Sequence, residues 1–183
     1  MFREKKSQMF TLPSLFFIVR VLFGVGWLLA GVTKITNKSW FAEPGQFLTD
    51  YLLHSLHKEN VPEFYKYFIE NIALENVMFF NYAIPIVQLA VGTCIVLGFL
   101  TIPSILICLF LHINFILSGN MNGISLVLYT SAFCLLIGRK YIYLFTLDRY
   151  LGIHKIFISS DDLNHSSAPI ERSGEKYRKK QPV

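Results

Sequence analysis

From Asn76 to Gly138 the chain carries no Asp, Glu, Lys or Arg. A water-soluble fold of that length needs a charged, wetted face somewhere along it. A stretch without one belongs in hydrocarbon, where every backbone N–H and C=O has to be satisfied inside the segment, so it is expected to fold as helices. Turn residues divide it. The runs 77–97, 99–117 and 123–138 read as apolar helices, joined by the uncharged links "GFLT" and "SGNMN". The last is short for a span of ~20 residues, and Arg139 and Lys140 can snorkel outward to extend it.

A fourth apolar run precedes these, over residues 14–35, with Pro13 expected to open its first helical turn. The preceding "FREKK" gives it the look of a signal peptide. Arg20 interrupts the run, however, and "WLLAG" puts Leu28 at the −3 position of the one plausible cleavage, so an uncleaved first span is expected. Overall composition agrees: 16% of residues are charged and 53% hydrophobic, where a soluble domain carries about 25% charged residues. The net charge of +5 sits beside apolar segments, where it sets topology; it is not a nucleic-acid footprint. Cys94, Cys108 and Cys134 each lie inside an apolar run without a CxxC, as small hydrophobes would.

Orientation follows from Lys and Arg. Arg3, Lys5 and Lys6 precede the first span and more than half of the cations follow the fourth, so both termini are expected in the cytoplasm. The fold class predicted is all-α: an integral, multi-pass four-helix bundle of the cell membrane over residues 1–152, with residues 36–76 outside. That outer loop holds two amphipathic patterns. One is "GQFLTDYLLHSLHK", with Phe47, Leu48, Tyr51, Leu52, Ser55 and Leu56 on one face. The other follows Pro62 and gathers Phe64, Phe68 and Ile72. Both are expected to lie as caps on the membrane surface. Residues 153–183 read as a polar, disordered cytoplasmic tail.

Polar residues inside the apolar runs are the candidate functional groups. On a helix, Arg20, Gly24, Trp27, Gly31 and Lys34 fall within roughly ±40° of one another. This makes an inward stripe whose glycines, Gly24 and Gly31, let a neighbouring backbone approach. Asn81, Pro85, Gln88 and Gly92 repeat the device on the second span. Arg20 and Lys34 either hold a ligand or snorkel to the phosphates. Gln88 needs a partner at mid-span, either a ligand or another helix. His112 is either a packed ring or a proton-handling group, and Asn114 points away from it by about 200°. Tyr129 and Ser125, one turn apart on the last span, either complete a polar cluster or simply bond backbone carbonyls. His54 and His57 in the loop are two ligands where a metal site needs more, so no metal is expected. Asp148 and Arg149 of "TLDRYLG" are expected to anchor the interfacial "YIYLF" segment.

As a constellation, these segments resemble the DoxX family of small four-helix membrane proteins. The resemblance rests on the Arg20–Gly31–Lys34 arrangement, "WFA" opening the loop, "PIVQLAVGTCIVLGFLT", "HINFILSGN" and "GRKYIYLFTLDRYLG", in order from Val19 to Gly152. The positions that match recurring polar and glycine sites are Arg20, Gly31, Lys34, Gly92, Gly98, Asn114, Gly119 and Asp148. Many relatives carry an acid on the second span where this chain has Gln88. The resemblance implies the membrane subunit of a quinone-linked oxidoreductase, thiosulfate- or sulfur-related or tied to quinone stress, with a quinone as ligand and a further subunit as partner. No haem, flavin or metal signature accompanies it.

Three classes of function remain. One, implied by the resemblance, is a quinone-linked redox subunit, with Arg20, Gln88 or His112 on a quinone carbonyl and Lys34 at the outer mouth meeting an anion. Another is a non-catalytic membrane partner or scaffold, working in the bilayer as a homo- or hetero-oligomer. The third, a solute carrier, has little to work with, since four spans without a repeat provide no second half for alternating access.

Overall fold

A computed structural model describes residues 2–143 and 146–157 of the chain. Among the described residues the structure is helical throughout, without strands. Its elements are α1 (Phe2–Thr36), α2 (Gln46–Leu56), α3 (Glu63–Phe68) continuing into a π-turn (Ile69–Ala73), α4 (Val77–Leu97), α5 (Thr101–Leu117), α6 (Gly123–Ile137), α7 (Leu147–Tyr150) and α8 (His154–Phe157). The segments Leu12–Thr36 and Val77–Leu97 are long and apolar enough to cross a membrane; α5 and α6 are apolar and shorter.

The central contact is α1 against α4, and two further helices join it, α6 lying on α1 and α5 on both α4 and α6. The two small-residue stripes meet in this contact. A Cβ on Gly92 would lie 2.8 Å from the Leu28 amide nitrogen and 3.0 Å from the Gly24 carbonyl oxygen, so here backbone touches backbone. A Cβ on Gly31 would lie 2.9 Å from Leu89 Cγ and 3.2 Å from the Pro85 carbonyl oxygen. Gly24 beside Gly92 and Gly31 beside Pro85 make the helices antiparallel. The main core, built on Phe23, Trp27, Val91, Ile95, Ile105, Cys108, Leu135 and Ile142, fills the space between them.

Burial runs opposite to that of a water-soluble core. Leu22, Phe110, Ile124 and Ile137 are 64, 66, 76 and 83% exposed, whereas Arg20, Asn81, Gln88 and Asp148 are 0, 0, 1 and 1% exposed. Several polar groups are thus buried beside the apolar core, while many large apolar side chains face outward.

Several sequence expectations are corrected. Pro13 lies inside α1 and does not open it, because a missing N–H removes one rung of the hydrogen-bond ladder without ending it. The third apolar helix begins at Thr101 and not at 99: Gly98 (φ 68°) and Leu100 (φ 45°) turn the chain through the left-handed region first. Asp148, expected to anchor "YIYLF", instead caps that helix, its two carboxylate oxygens accepting the amides of Leu100 (2.7 Å) and Thr101 (2.8 Å). α8 (His154–Phe157) falls beyond the expected domain end at 152, while residues 158–183, over which most of the polar tail is expected, lie outside the described residues.

The loop from Asn37 to Asn76 folds over one end of the helices as a cap with its own core. Trp40, Leu48, Leu52, Val61, Tyr65, Ile69 and Ala73 make that core, packed against Val77, Phe80, Ile84 and Leu117. The buried face of α3 is therefore Tyr65–Ile69–Ala73 and not the expected Phe64–Phe68–Ile72; Phe64 and Ile72 are exposed, and Phe68 packs partly buried at the edge of the core. Both stripes are apolar at the same spacing, and it is the 65–69–73 one that packs into the cap's core with Trp40, Leu48 and Leu52. Side-chain bonds tie the cap down: Tyr51 to Ser118, Lys58 Nζ to the Gly119 carbonyl (3.4 Å), Tyr65 Oη to Asn114 Oδ1 (3.1 Å), and Asn81 Nδ2 to the Trp40 carbonyl (2.7 Å).

Candidate functional site: a polar cavity beneath the cap

Between the cap and the ends of α1, α4, α5 and α6 lies a cavity of about 160 Å³. Trp27, Ala30 and Lys34 reach it from α1, Gln88 from α4, His112 and Phe115 from α5, and Ser125 and Leu128 from α6. The cap adds Lys38, Trp40, Phe47, Leu48 and Tyr51, and the α5–α6 link adds Asn120. Three of the five ligand-binding residues expected from the sequence, Lys34, Gln88 and His112, thus meet on one wall system. A space of this size accommodates about one six-membered ring.

Its rings are ordered by packing. His112 stacks on Tyr129 (centroids 5.7 Å) and meets Trp27 edge-on (6.2 Å), and the Ser125 backbone lies beside its ring. His112, Tyr129 and Ser125 are thus neighbours, through a ring stack and a backbone group and not through side-chain hydrogen bonds. Lys34 does not extend away from the helices: its Nζ turns back to the Ala30 carbonyl (3.4 Å) and lies over the rings of Phe115 (5.3 Å) and Trp40 (5.7 Å). Trp27 Nε1, Trp40 Nε1, Gln88 Oε1 and His112 Nε2 are buried without a protein hydrogen-bond partner, and all four side chains line this cavity. Asn81 Oδ1, Thr101 Oγ1 and Tyr143 Oη also lack partners elsewhere, but these four border open space, where a bound molecule could pair them.

Arg20 and Asn114 do not join the site. Asn114 donates to the Phe110 carbonyl (2.8 Å) and accepts from Tyr65, serving the cap. Arg20 is at the opposite end of α1, where its Nη1 occupies the space a Cβ on Gly98 would need. It faces the Phe17 ring (5.3 Å) and feels the charge of Asp148. It neither snorkels nor approaches the cavity. Its neighbours include the α4–α5 turn, and that turn is joined to α7 by the bond from the Asp148 amide to the Gly98 carbonyl (2.9 Å).

Two phenols outside the spans report the same burial. Burial first, and the neighbouring Tyr51 second, push the Tyr65 phenol up to about 12. Burial first, and the Asp148 charge second, push Tyr143 up to about 12 at the other end. The sequence stripe had already grouped Trp27 with Lys34. Trp40, Lys38 and Tyr51 were missed, because nothing in a loop's spacing says which of its residues will close over a helix end.

Comparison of the chain with protein-family models, with curated proteins and with solved structures finds no match. The functional reading therefore rests on the geometry and the residues.

Proposed function

We propose that the chain is a DoxX-like four-span membrane protein, both termini cytoplasmic and residues 36–76 outside, serving as the quinone-binding membrane subunit of an oxidoreductase system. The observation that carries this reading is the one-ring cavity with aromatic walls, in which Lys34, the two indole N–H groups, Gln88 and His112 offer polar partners to a ring's oxygens. A quinone head has that chemistry: a flat apolar body with carbonyl oxygens on opposite edges. The inverted burial pattern supports the bilayer setting, since exposed Leu, Ile and Phe around buried Arg, Asn and Gln is what lipid permits. In this orientation the cavity lies at the outer end, and electrons pass to or from the ring by way of a partner subunit.

A second reading, a non-catalytic membrane partner or scaffold, is favoured by the cap's outer surface, where Phe64 and Tyr67 are each 66% exposed.

The chain's two tryptophans both line the cavity, so their fluorescence reports on it specifically. Titrating purified protein in mild detergent with a short-chain benzoquinone should quench that emission saturably. Quenching that stays linear and collisional would sink the quinone reading and leave the scaffold reading ahead.

A further inference from the structure

The charged side chains lining the cavity are Lys34 and Lys38, and no Asp or Glu lines it. Among the described residues the ion pair formed is Lys66–Glu63, away from this site on α3, so Lys34 has no carboxylate within ion-pair distance. Its ammonium makes one long bond, to the Ala30 carbonyl, and rests on the faces of Phe115 and Trp40. Ring faces attract a cation but supply no charge to neutralise it. Two of its three N–H donors are left for something else. Half-buried between aromatic walls, this cation is set for an anionic oxygen carried on a flat ring. The rings of the wall and the ammonium at one side ask for those two features together, which a simple inorganic anion or a neutral ring would each match by half.

Resting on the quinone reading above, we infer that the cavity selects rings with an ionised oxygen, hydroxyquinone or quinolate anions, and that Lys34 is the group that holds that oxygen. Lys38, exposed with its Nζ over Phe47 (4.8 Å), adds a second positive charge at the edge of the same space and draws the anion in. The neutral carbonyl edge of the ring then faces the indole N–H groups.

The test compares 2,5-dimethyl-1,4-benzoquinone with 2,5-dihydroxy-1,4-benzoquinone, a single ring of similar size that is ionised at neutral pH, by tryptophan quenching on the full-length protein in detergent. Wild type should bind the hydroxylated ring about tenfold tighter or more. Lys34→Met should bring the two affinities together by weakening the anion alone, and Lys34→Arg should retain the preference. Equal affinities in wild type, with saturable binding of both, would overturn the selectivity while leaving the quinone site standing. Saturable binding of neither would overturn both. An undiminished preference in folded Lys34→Met would remove Lys34 from the role.

Discussion

At the end of the molecule where α4 turns into α5, a buried carboxylate is completed by the protein: both Asp148 oxygens accept amides, and Arg20 fills the space over Gly98. At the end beneath the cap, Lys34 has no carboxylate, and Gln88 and His112 keep polar atoms without protein partners around a cavity. Both ends bury charge or amide among apolar helices, and both keep some polar atoms unpartnered, Thr101 Oγ1 and Tyr143 Oη at the first. They differ in what surrounds those atoms: the first end is built round a carboxylate whose two oxygens are paired, whereas at the second the unpartnered atoms border open space. The completed carboxylate can contribute stability. The incomplete end costs it unless a ligand supplies the missing partners.

The largest effect should break the completed end. Asp148→Ala removes two charge-assisted bonds to the Leu100 and Thr101 amides and the negative charge that reaches Arg20. Thermal unfolding in detergent should show a loss of about 3–5 kcal/mol, mostly from those two bonds. A loss below about 1 kcal/mol would mean that the α5 start does not depend on this cap.

A smaller effect sharpens the account of the cap. Tyr65→Phe loses one bond to Asn114, about 1 kcal/mol. The Tyr65 phenol is raised to about 12 in the folded protein, so the fold favours its protonated form. That stability is present below the ordinary value near 10 and is lost as pH rises through about 12. The gap in stability between wild type and Tyr65→Phe should therefore close across that window. A gap that widens with pH would contradict the burial of Tyr65.

The smallest stability effect should come from the incomplete end. Gln88→Leu removes an unpartnered buried amide oxygen, so folding should change by less than about 0.5 kcal/mol or improve, while quinone quenching weakens. A loss of several kcal/mol would show that Gln88 is a structural bond and not a site residue.

The legible part of the fold was the part governed by local periodicity. Val77–Leu97 is found where the apolar run puts it, and the glycines predicted to face inward on α1 and α4 do touch. Close packing of α1 on α4 needs small residues on the facing sides, so that face can be read. What escaped was set by contacts distant in sequence. Asp148 caps a helix whose first residues precede it by 47 and 48 positions, and no local pattern announces that. The choice between the 64–68–72 and 65–69–73 stripes of the cap was likewise undecidable from spacing, because both are apolar. For the candidate site, Lys34, Gln88 and His112 were legible as polar groups in apolar helices. Arg20 and Asn114 looked the same in sequence; only the antiparallel pairing of α1 with α4 separates Arg20 from the cavity by the length of the helix.

The Asp148 cap also orders events during synthesis. Arg20 is made early, yet Asp148, whose charge reaches it, emerges only after α4, α5 and α6 have all been translated. Until then the Leu100 and Thr101 amides lack their acceptor, and the nascent helices can be arranged but not latched. A chain terminated between Gly138 and Asp148 would have every long helix present and the latch missing.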